Sequence, residues 1–252
     1  MKKQYRLFIL SAGKGTRLWP LTKDNPKSLV ELSDGSCILE RQIRSAIESG
    51  VISEISIITG YMHDKIEDYI LSYKDEMEIN TIYNPFYDVS NNLLSLWTAV
   101  YPMREKDFII TNGDNIYLAN VLKKIVSSKN ETIQVTIDYK EEYDMDDMKV
   151  SFNKDRITRI HKDIPMENIK AESVGLCLVQ GERSRILLTD KIIELAKNES
   201  YKDRFWLEIF NSLIDVDNRI IDFSVINKDD WQEIDFHFDI DLIKKIFSTN
   251  LG

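Results

Sequence analysis

Two cations, Arg17 and Lys27, bracket a stretch that is poor in side chains and rich in accessible backbone. The stretch follows an apolar run from Tyr5 to Leu10 and reads Ser11-Ala12-Gly13-Lys14-Gly15-Thr16. Small residues let successive backbone N–H groups close around phosphate oxygens, and glycines adopt the dihedral angles such an anion nest needs. Arg17 then presents a planar fork to those oxygens, and Lys27 a point charge. A Gly-x-Gly alone is equally compatible with a plain structural turn. It is not a Walker loop, because Gly-Lys-Ser/Thr is missing at the required spacing. Nor is it a dinucleotide fingerprint, because Leu18 stands in place of the third glycine.

The longer string says more. Gly13-x-Gly15-x-Arg17-Leu18-x-Pro20-Leu21-Thr22, continuing to Pro26-Lys27, resembles the signature of the nucleotidyltransferases that include sugar-phosphate and phosphocholine nucleotidylyltransferases. The resemblance implies a Rossmann-like α/β sheet and a nucleoside triphosphate bound over Leu10, Ser11, Ala12, Gly13, Gly15 and Thr16. It also implies Mg²⁺-dependent transfer of a nucleotidyl group, with Arg17 and Lys27 as the catalytic cations.

Such a reaction needs one or two carboxylates to hold Mg²⁺ on the phosphates. Asp114 follows the apolar segment Phe108 to Thr111, so it stands at the carboxyl end of a strand, where open α/β sheets bind ligands. An Asx-turn or helix cap is the structural alternative for it. By resemblance, Asp235 in Trp231-Gln232-Glu233-Ile234-Asp235 takes the second metal position. Asp239 reads instead as the N-cap of a last helix, and Asp241 as a first-turn charge.

Asn91-Asn92-x-x-Ser95-Leu96 departs from the Gln-Pro pattern of sugar nucleotidylyltransferases and looks like the phosphocholine cytidylyltransferase branch. There Asn91, Asn92 and Ser95 face the nucleotide, and amides suit the edge of cytosine. The two asparagines could also simply cap a helix from Leu93 to Val100. Lys149, Lys162 and Glu172 resemble the same branch, the lysines as partners of an acceptor phosphate and Glu172 as partner of a cationic amine. Ordinary surface roles remain open for all three. Tyr87, Trp97, Trp206 and Trp231 are candidates for a cation–π box, or simply core. CTP and a small phosphorylated acceptor of the phosphocholine, phosphoglutamine or aminoalkyl phosphate and phosphonate kind are the expected substrates. A sugar-1-phosphate nucleotidylyltransferase and an inactive nucleotide-binding regulatory subunit are the rival readings.

The elements that must position these residues alternate. Strands are expected from Tyr5 to Leu10, Ile55 to Thr59, Ile79 to Tyr83 and Phe108 to Thr111, with helices between them. One helix carries Leu39, Ile43, Ala46 and Ile47 and ends at Gly50; another carries Ile66, Tyr69 and Ile70. That pattern means βαβ units and a mostly parallel sheet flanked by helices. Antiparallel or mixed strands are added in the second half: Thr132 to Ile137, Lys149 to Phe152, Ile157 to Ile160 and Val174 to Val179. The acid-rich run Glu141 to Asp147 between them reads as a solvated loop. Helices are expected over Ile186 to Lys197, Trp206 to Ile214 and Asp239 to Phe247.

The chain is read as one domain over residues 1–252, with a nucleotide-binding half (1–130) and an acceptor-binding half (131–252). A net charge of −9 argues against a nucleic-acid coat or a polybasic membrane binder. Cys37 and Cys177 lie among apolar residues and read as small buried side chains rather than a disulfide framework. No export signal or membrane span is legible, so the expected location is cytoplasmic.

Overall fold

A computed structural model describes residues 4–126, 129–217 and 219–241. Its strands are β1 (Tyr5–Ser11), β2 (Ile52–Thr59), β3 (Glu78–Tyr83), β4 (Phe108–Asn112), β5 (Asn115–Tyr117) and β6 (Thr132–Asp138). They continue with β7 (Lys149–Asn153), β8 (Arg156–Ile160), β9 (Ala171–Gln180), β10 (Ile221–Val225) and β11 (Trp231–Glu233). The helices are α1 (Ile38–Ser49), α2 (His63–Ile70), α3 (Asn92–Thr98), α4 (Val100–Met103), α5 (Ala119–Ile125), α6 (Glu182–Ala196) and α7 (Ile209–Ile214).

The main sheet has the order β10-β6-β9-β4-β1-β2-β3, and β7 adds β8 alongside β9. β1 pairs in parallel with β2 and β4, β2 with β3, and β10 with β6; β9 runs antiparallel to β4, β6 and β7. The fold is therefore α/β, with a parallel nucleus and antiparallel additions.

The run of apolar residues in β1 follows from burial on both faces. Phe8 and Leu10 join a core with Leu96, Met103, Leu188 and Phe210 on one side of the sheet. Leu7 and Ile9 join Leu39, Ile43, Ile66 and Leu122 on the other. A third, smaller core gathers Leu18, Val30, Leu32, Ile38, Ile116 and Ile234.

Several local expectations shift. β6 alternates polar and apolar residues, yet it is buried along its whole length. Its polar side chains find partners: the Gln134 amide donates to the Ile125 carbonyl, and Asp138 accepts from the Trp231 indole. Strand β10 escapes a sequence reading because Asp222 and Ser224 break its apolar pattern; the register of β6 holds it in place. The helix expected at Trp206 begins with a tight turn, Trp206–Glu208, before α7. The last helix starts at 237, and most of the range expected for it lies outside the described residues. Asp239 thus sits in its first turn rather than at its N-cap, and its carboxylate reaches back to accept from the Asp235 and Phe236 amides.

Candidate active site

The loop after β1 turns at Gly15, where φ is 61°. A Cβ at that position would stand 2.7 Å from the Cβ of Lys27, so both the backbone angle and the approach of Lys27 require glycine. The Thr22 hydroxyl donates to the Gly15 carbonyl at 2.8 Å and closes the loop from behind. Leu18, the residue that displaces a third glycine, is fully buried in the small third core.

Asp114 lies in the turn between β4 and β5. Gly113 packs directly beneath the end of β1, since a Cβ there would stand 2.3 Å from the Leu10 carbonyl oxygen. Asp235 reaches the same place because β11 pairs antiparallel with β5, setting Glu233 opposite Asn115, and the Ile234 amide donates to the Asp114 carbonyl at 2.9 Å. The third core ties these segments together: Leu18 from the loop, Val30 beyond Lys27, Ile116 beyond Asp114 and Ile234 before Asp235.

The charged groups meet there. Lys27 Nζ donates to Asp114 Oδ2 at 2.7 Å and to Asp235 Oδ1 at 2.6 Å. Arg17 Nη1 donates to Asp235 Oδ2 at 2.5 Å, and its guanidinium lies 5.6 Å from the centre of the Phe236 ring. Burial works against the Lys27 charge, but Asp114 and then Asp235 outweigh it and raise the ammonium above the usual lysine range. Asp235 moves the other way: burial opposes ionisation, yet Lys27 and Arg17 hold its carboxyl below the usual range.

Glu233 joins this cluster and was not singled out from the sequence. Ligand oxygens of Asp114, Glu233 and Asp235 lie within 4.8 Å of one another. Burial, followed by Asp114 and Asp235, pushes the Glu233 carboxyl well above the ordinary range. The missed signal was alternation, since residues two apart on an extended segment share a face. Asp114 Oδ1 is buried with no hydrogen-bond partner. Three carboxylates, one of them with an unsatisfied buried oxygen, make a hard, oxygen-only donor set of the kind that suits Mg²⁺.

Gln42 was also missed. Buried on α1, it donates from Nε2 to the carbonyls of Asn112 and Asn115, at 2.8 and 2.7 Å, and so clamps both ends of the Asp114 turn. Nothing in the sequence distinguishes it from a surface glutamine.

These groups open on a cleft of about 370 Å³. Leu10, Ser11, Ala12, Gly13, Gly15 and Thr16 line it, as do Asn91, Asn92 and Ser95. The two asparagines also serve the fold. Asn91 caps α3 through the Asn92 amide, and Asn92 Oδ1 accepts from the Trp206 amide. Ser95 accepts from the Asn84 amide at 3.0 Å.

Of the three acceptor-site candidates, Lys162 and Glu172 line the cleft and Lys149 does not. Lys149 is buried, and its Nζ donates to the carbonyls of Met145 and Lys162, so its role is to tie two loops together. Lys162 Nζ lies 4.8 Å from the centre of the Phe205 ring and 3.6 Å from Asp146 Oδ1. Glu172 is not an exposed strand acid: it is 3% exposed and pairs with Lys140 Nζ at 2.5 Å. Burial raises its carboxyl to about 7. The run Glu141 to Asp147 is a loop, but not a wholly solvated one, because Asp147 pairs with Lys140 and Asp146 faces both Lys162 and Arg17. The aromatic candidates do not form one box. Tyr87, Trp206 and Trp231 line the cleft and Trp97 does not. The indole nitrogens of Trp206 and Trp231 donate to Asn112 and Asp138.

Among the described residues no helix is long and apolar enough to cross a membrane. Over 128 residues the chain is 34% identical to a CTP:phosphoglutamine cytidylyltransferase of Campylobacter jejuni, a stretch covering 49% of each protein. It is 31% identical over 118 residues to a choline-phosphate cytidylyltransferase of Streptococcus pneumoniae, covering 47% of this chain and 48% of that one. The chain thus spans about half the length of these curated relatives. Among solved structures, an inositol-1-phosphate CTP transferase from T. maritima matches 97% of this chain and 96% of its own, with a TM-score of 0.79 at 18% identity. A CTP:phosphocholine cytidylyltransferase from Streptococcus pneumoniae matches 97% and 99%, with a TM-score of 0.76 at 22% identity. At such identities these two likenesses establish the fold alone. Residues 7–147, more than half of the sequence, match the nucleotidyl transferase family, and the chain belongs to that family.

Proposed function

We propose that this protein is a cytidylyltransferase: it transfers CMP from CTP to a small, amine-bearing phosphorylated acceptor and releases pyrophosphate. The observation that carries the reading is the convergence of Arg17, Lys27, Asp114, Glu233 and Asp235 at the mouth of a glycine loop, in a cleft that also exposes Lys162 and Glu172. Residues 1–130 supply the nucleotide half of that cleft and the later residues most of its acceptor half.

Asp114, Glu233 and Asp235 are the residues to hold Mg²⁺, which when bound neutralises charge on the triphosphate. The loop backbone from Ser11 to Thr16 cradles the phosphates. The acceptor phosphate, whose second pKa is near about 6, arrives largely dianionic and needs no protein base. Its oxygen attacks the α-phosphorus, and the bond from that phosphorus to the pyrophosphate oxygen breaks. Arg17 and Lys27 oppose the charge gathering on the α-phosphate and the leaving pyrophosphate. Lys162 receives the acceptor phosphate.

The base is read by Asn92. With Oδ1 committed to Trp206, its remaining function is the amide N–H, a donor suited to the unprotonated N3 of cytosine and repelled by the N3–H of uracil.

The experiment is pyrophosphate release with Mg²⁺ across the four common nucleoside triphosphates, each offered phosphocholine, phosphoethanolamine, 2-aminoethylphosphonate, phosphoglutamine and two sugar-1-phosphates. Turnover confined to CTP and an amine-bearing acceptor supports the proposal. Turnover with a sugar-1-phosphate overturns its acceptor half, and silence across the panel with nucleotide binding retained points to a regulatory subunit.

A further inference from the structure

Arg17 and Lys162, the cations proposed for the nucleotide and for the acceptor phosphate, share a carboxylate. Asp146 Oδ1 lies 3.6 Å from Arg17 Nη2 and 3.6 Å from Lys162 Nζ. One oxygen in reach of both means that the two cations face a single gap, and all three side chains line the cleft. Both contacts are longer than a hydrogen bond, and the Asp146 side chain is 57% exposed. Each is therefore a modest ion pair that a phosphate can displace.

The carboxylate is nonetheless held where it is. The Asp144 amide donates to Asp147 Oδ2 at 2.8 Å and the Asp147 amide to the Asp144 carbonyl at 3.3 Å, closing a tight turn around residues 145 and 146. Buried Lys149 grips that turn, its ammonium donating to the Met145 carbonyl at 3.1 Å and to the Lys162 carbonyl at 2.9 Å. The backbone just before Asp146 is thus fastened to that of the residue its side chain faces.

Resting on the cytidylyltransferase reading, we propose that Asp146 is a built-in competitor for the substrate phosphates that couples the binding of nucleotide to the binding of acceptor. Its oxygen stands between Arg17 and Lys162, where oxygens of the α-phosphate and of the acceptor phosphate must come together. The first substrate to bind takes one cation and displaces the carboxylate from both, since both rely on the same oxygen. The second substrate then finds its cation released. Without the Asp146 charge the first substrate binds more tightly and the second gains nothing. The favourable coupling shrinks by that factor, and by the same factor whichever substrate is added first.

The test compares the chain with its Asp146→Asn variant by titration calorimetry in Mg²⁺. The fold's ties run through Asp147 and Lys149, which the substitution leaves in place. The nucleotide probe is cytidine 5′-(α,β-methylene)triphosphate, whose P–C bond does not break, so both substrates can be present without turnover. The acceptor probes are phosphocholine, phosphoethanolamine, phosphoglutamine and glucose-1-phosphate. In Asp146→Asn a probe added alone is expected to bind about two- to fivefold more tightly, the worth of an exposed ion pair. The acceptor added to nucleotide-saturated protein is expected to bind as it does to the wild type. Glu142→Gln, which removes an exposed charge from the same acid-rich run, is expected to change neither. Unchanged or weaker binding of the lone probes in Asp146→Asn overturns the inference. Equal tightening in Glu142→Gln also overturns it, since net charge alone would then be the cause. Tightening seen only with glucose-1-phosphate leaves the inference standing and overturns the acceptor half of the proposed function. Absence of nucleotide binding to either protein overturns both.

Discussion

The two sides of the cleft are held by different physics. On the side proposed for the nucleotide, four segments of the chain are fastened by one small apolar core and by short backbone ties such as Ile234 to Asp114. Charged side chains there have only to project from a frame already fixed. On the side proposed for the acceptor, Lys140, Lys149, Asp147 and Glu172 are themselves the fastenings, paired with one another or with loop carbonyls. The first arrangement separates framework from chemistry, so reaction residues can change without loss of fold. The second merges them, so a change of acceptor preference also alters stability.

The sharpest way to break that contrast is Lys27→Ala. Removing one preorganised charge from a transition state costs about 10²–10³-fold in turnover, and Lys27 serves a site where two carboxylates already concentrate charge. Turnover is expected to fall by about a thousandfold, with a melting temperature in Mg²⁺ close to that of the wild type. Near-wild-type turnover removes Lys27 from the reaction. The converse change is Ile234→Ala, which touches no ligand. It leaves a cavity in the third core, where large-to-small substitutions cost roughly 2–5 kcal/mol. Denaturant unfolding is expected to show that loss, together with a raised Mg²⁺ requirement. A stable Ile234→Ala protein would mean that the apolar core is not what fastens the site.

This division also explains what could be read in advance. Tyr5 to Leu10, Leu39 to Ile47 and Gly50 are local signals, because burial on both sheet faces and a helical stripe each leave a short-range pattern. The glycine loop was legible for the same reason. Gly15 answers to its own dihedral angle and to Lys27, and Leu18 to a core its neighbours reveal. Gln42 was not legible, since it acts on atoms far away in sequence, whereas Glu233 shows only through its two-residue spacing from Asp235. Lys149 misled because its family-like position says nothing of where the ammonium points. β10 was hidden by Asp222 and Ser224, whose partners lie on β6 and its neighbourhood.

Gln42 sharpens the comparison on the side proposed for the nucleotide, being a long-range side-chain clamp on the Asp114 turn. Gln42→Leu keeps the bulk on α1 but removes both donors from the Asp114 turn. Outer-shell groups of this kind change metal affinity by about 10–100-fold. Mn²⁺ binding followed by paramagnetic resonance is expected to weaken within that range, with kcat at saturating metal much less affected and Gln42→Glu failing to restore it. Unchanged Mn²⁺ affinity would make the clamp purely architectural.

The smallest effect belongs to the acceptor side, and its sign follows from burial. Glu172 has its carboxyl raised to about 7 in the folded protein, first by burial, against an ordinary value of 4.5. A folded-state value above the unfolded one means that the native protein holds the proton longer. Glu172 therefore favours folding below about pH 4.5, and that contribution is lost as pH rises toward 7. Glu172→Gln removes the titration. The stability of the variant minus that of the wild type is expected to climb between those two pH values, by on the order of 2 kcal/mol, and to level off above them. Urea unfolding of both proteins across that range measures the slope. A flat difference would mean that Lys140 fully balances Glu172 and that burial does not raise its carboxyl in the folded protein.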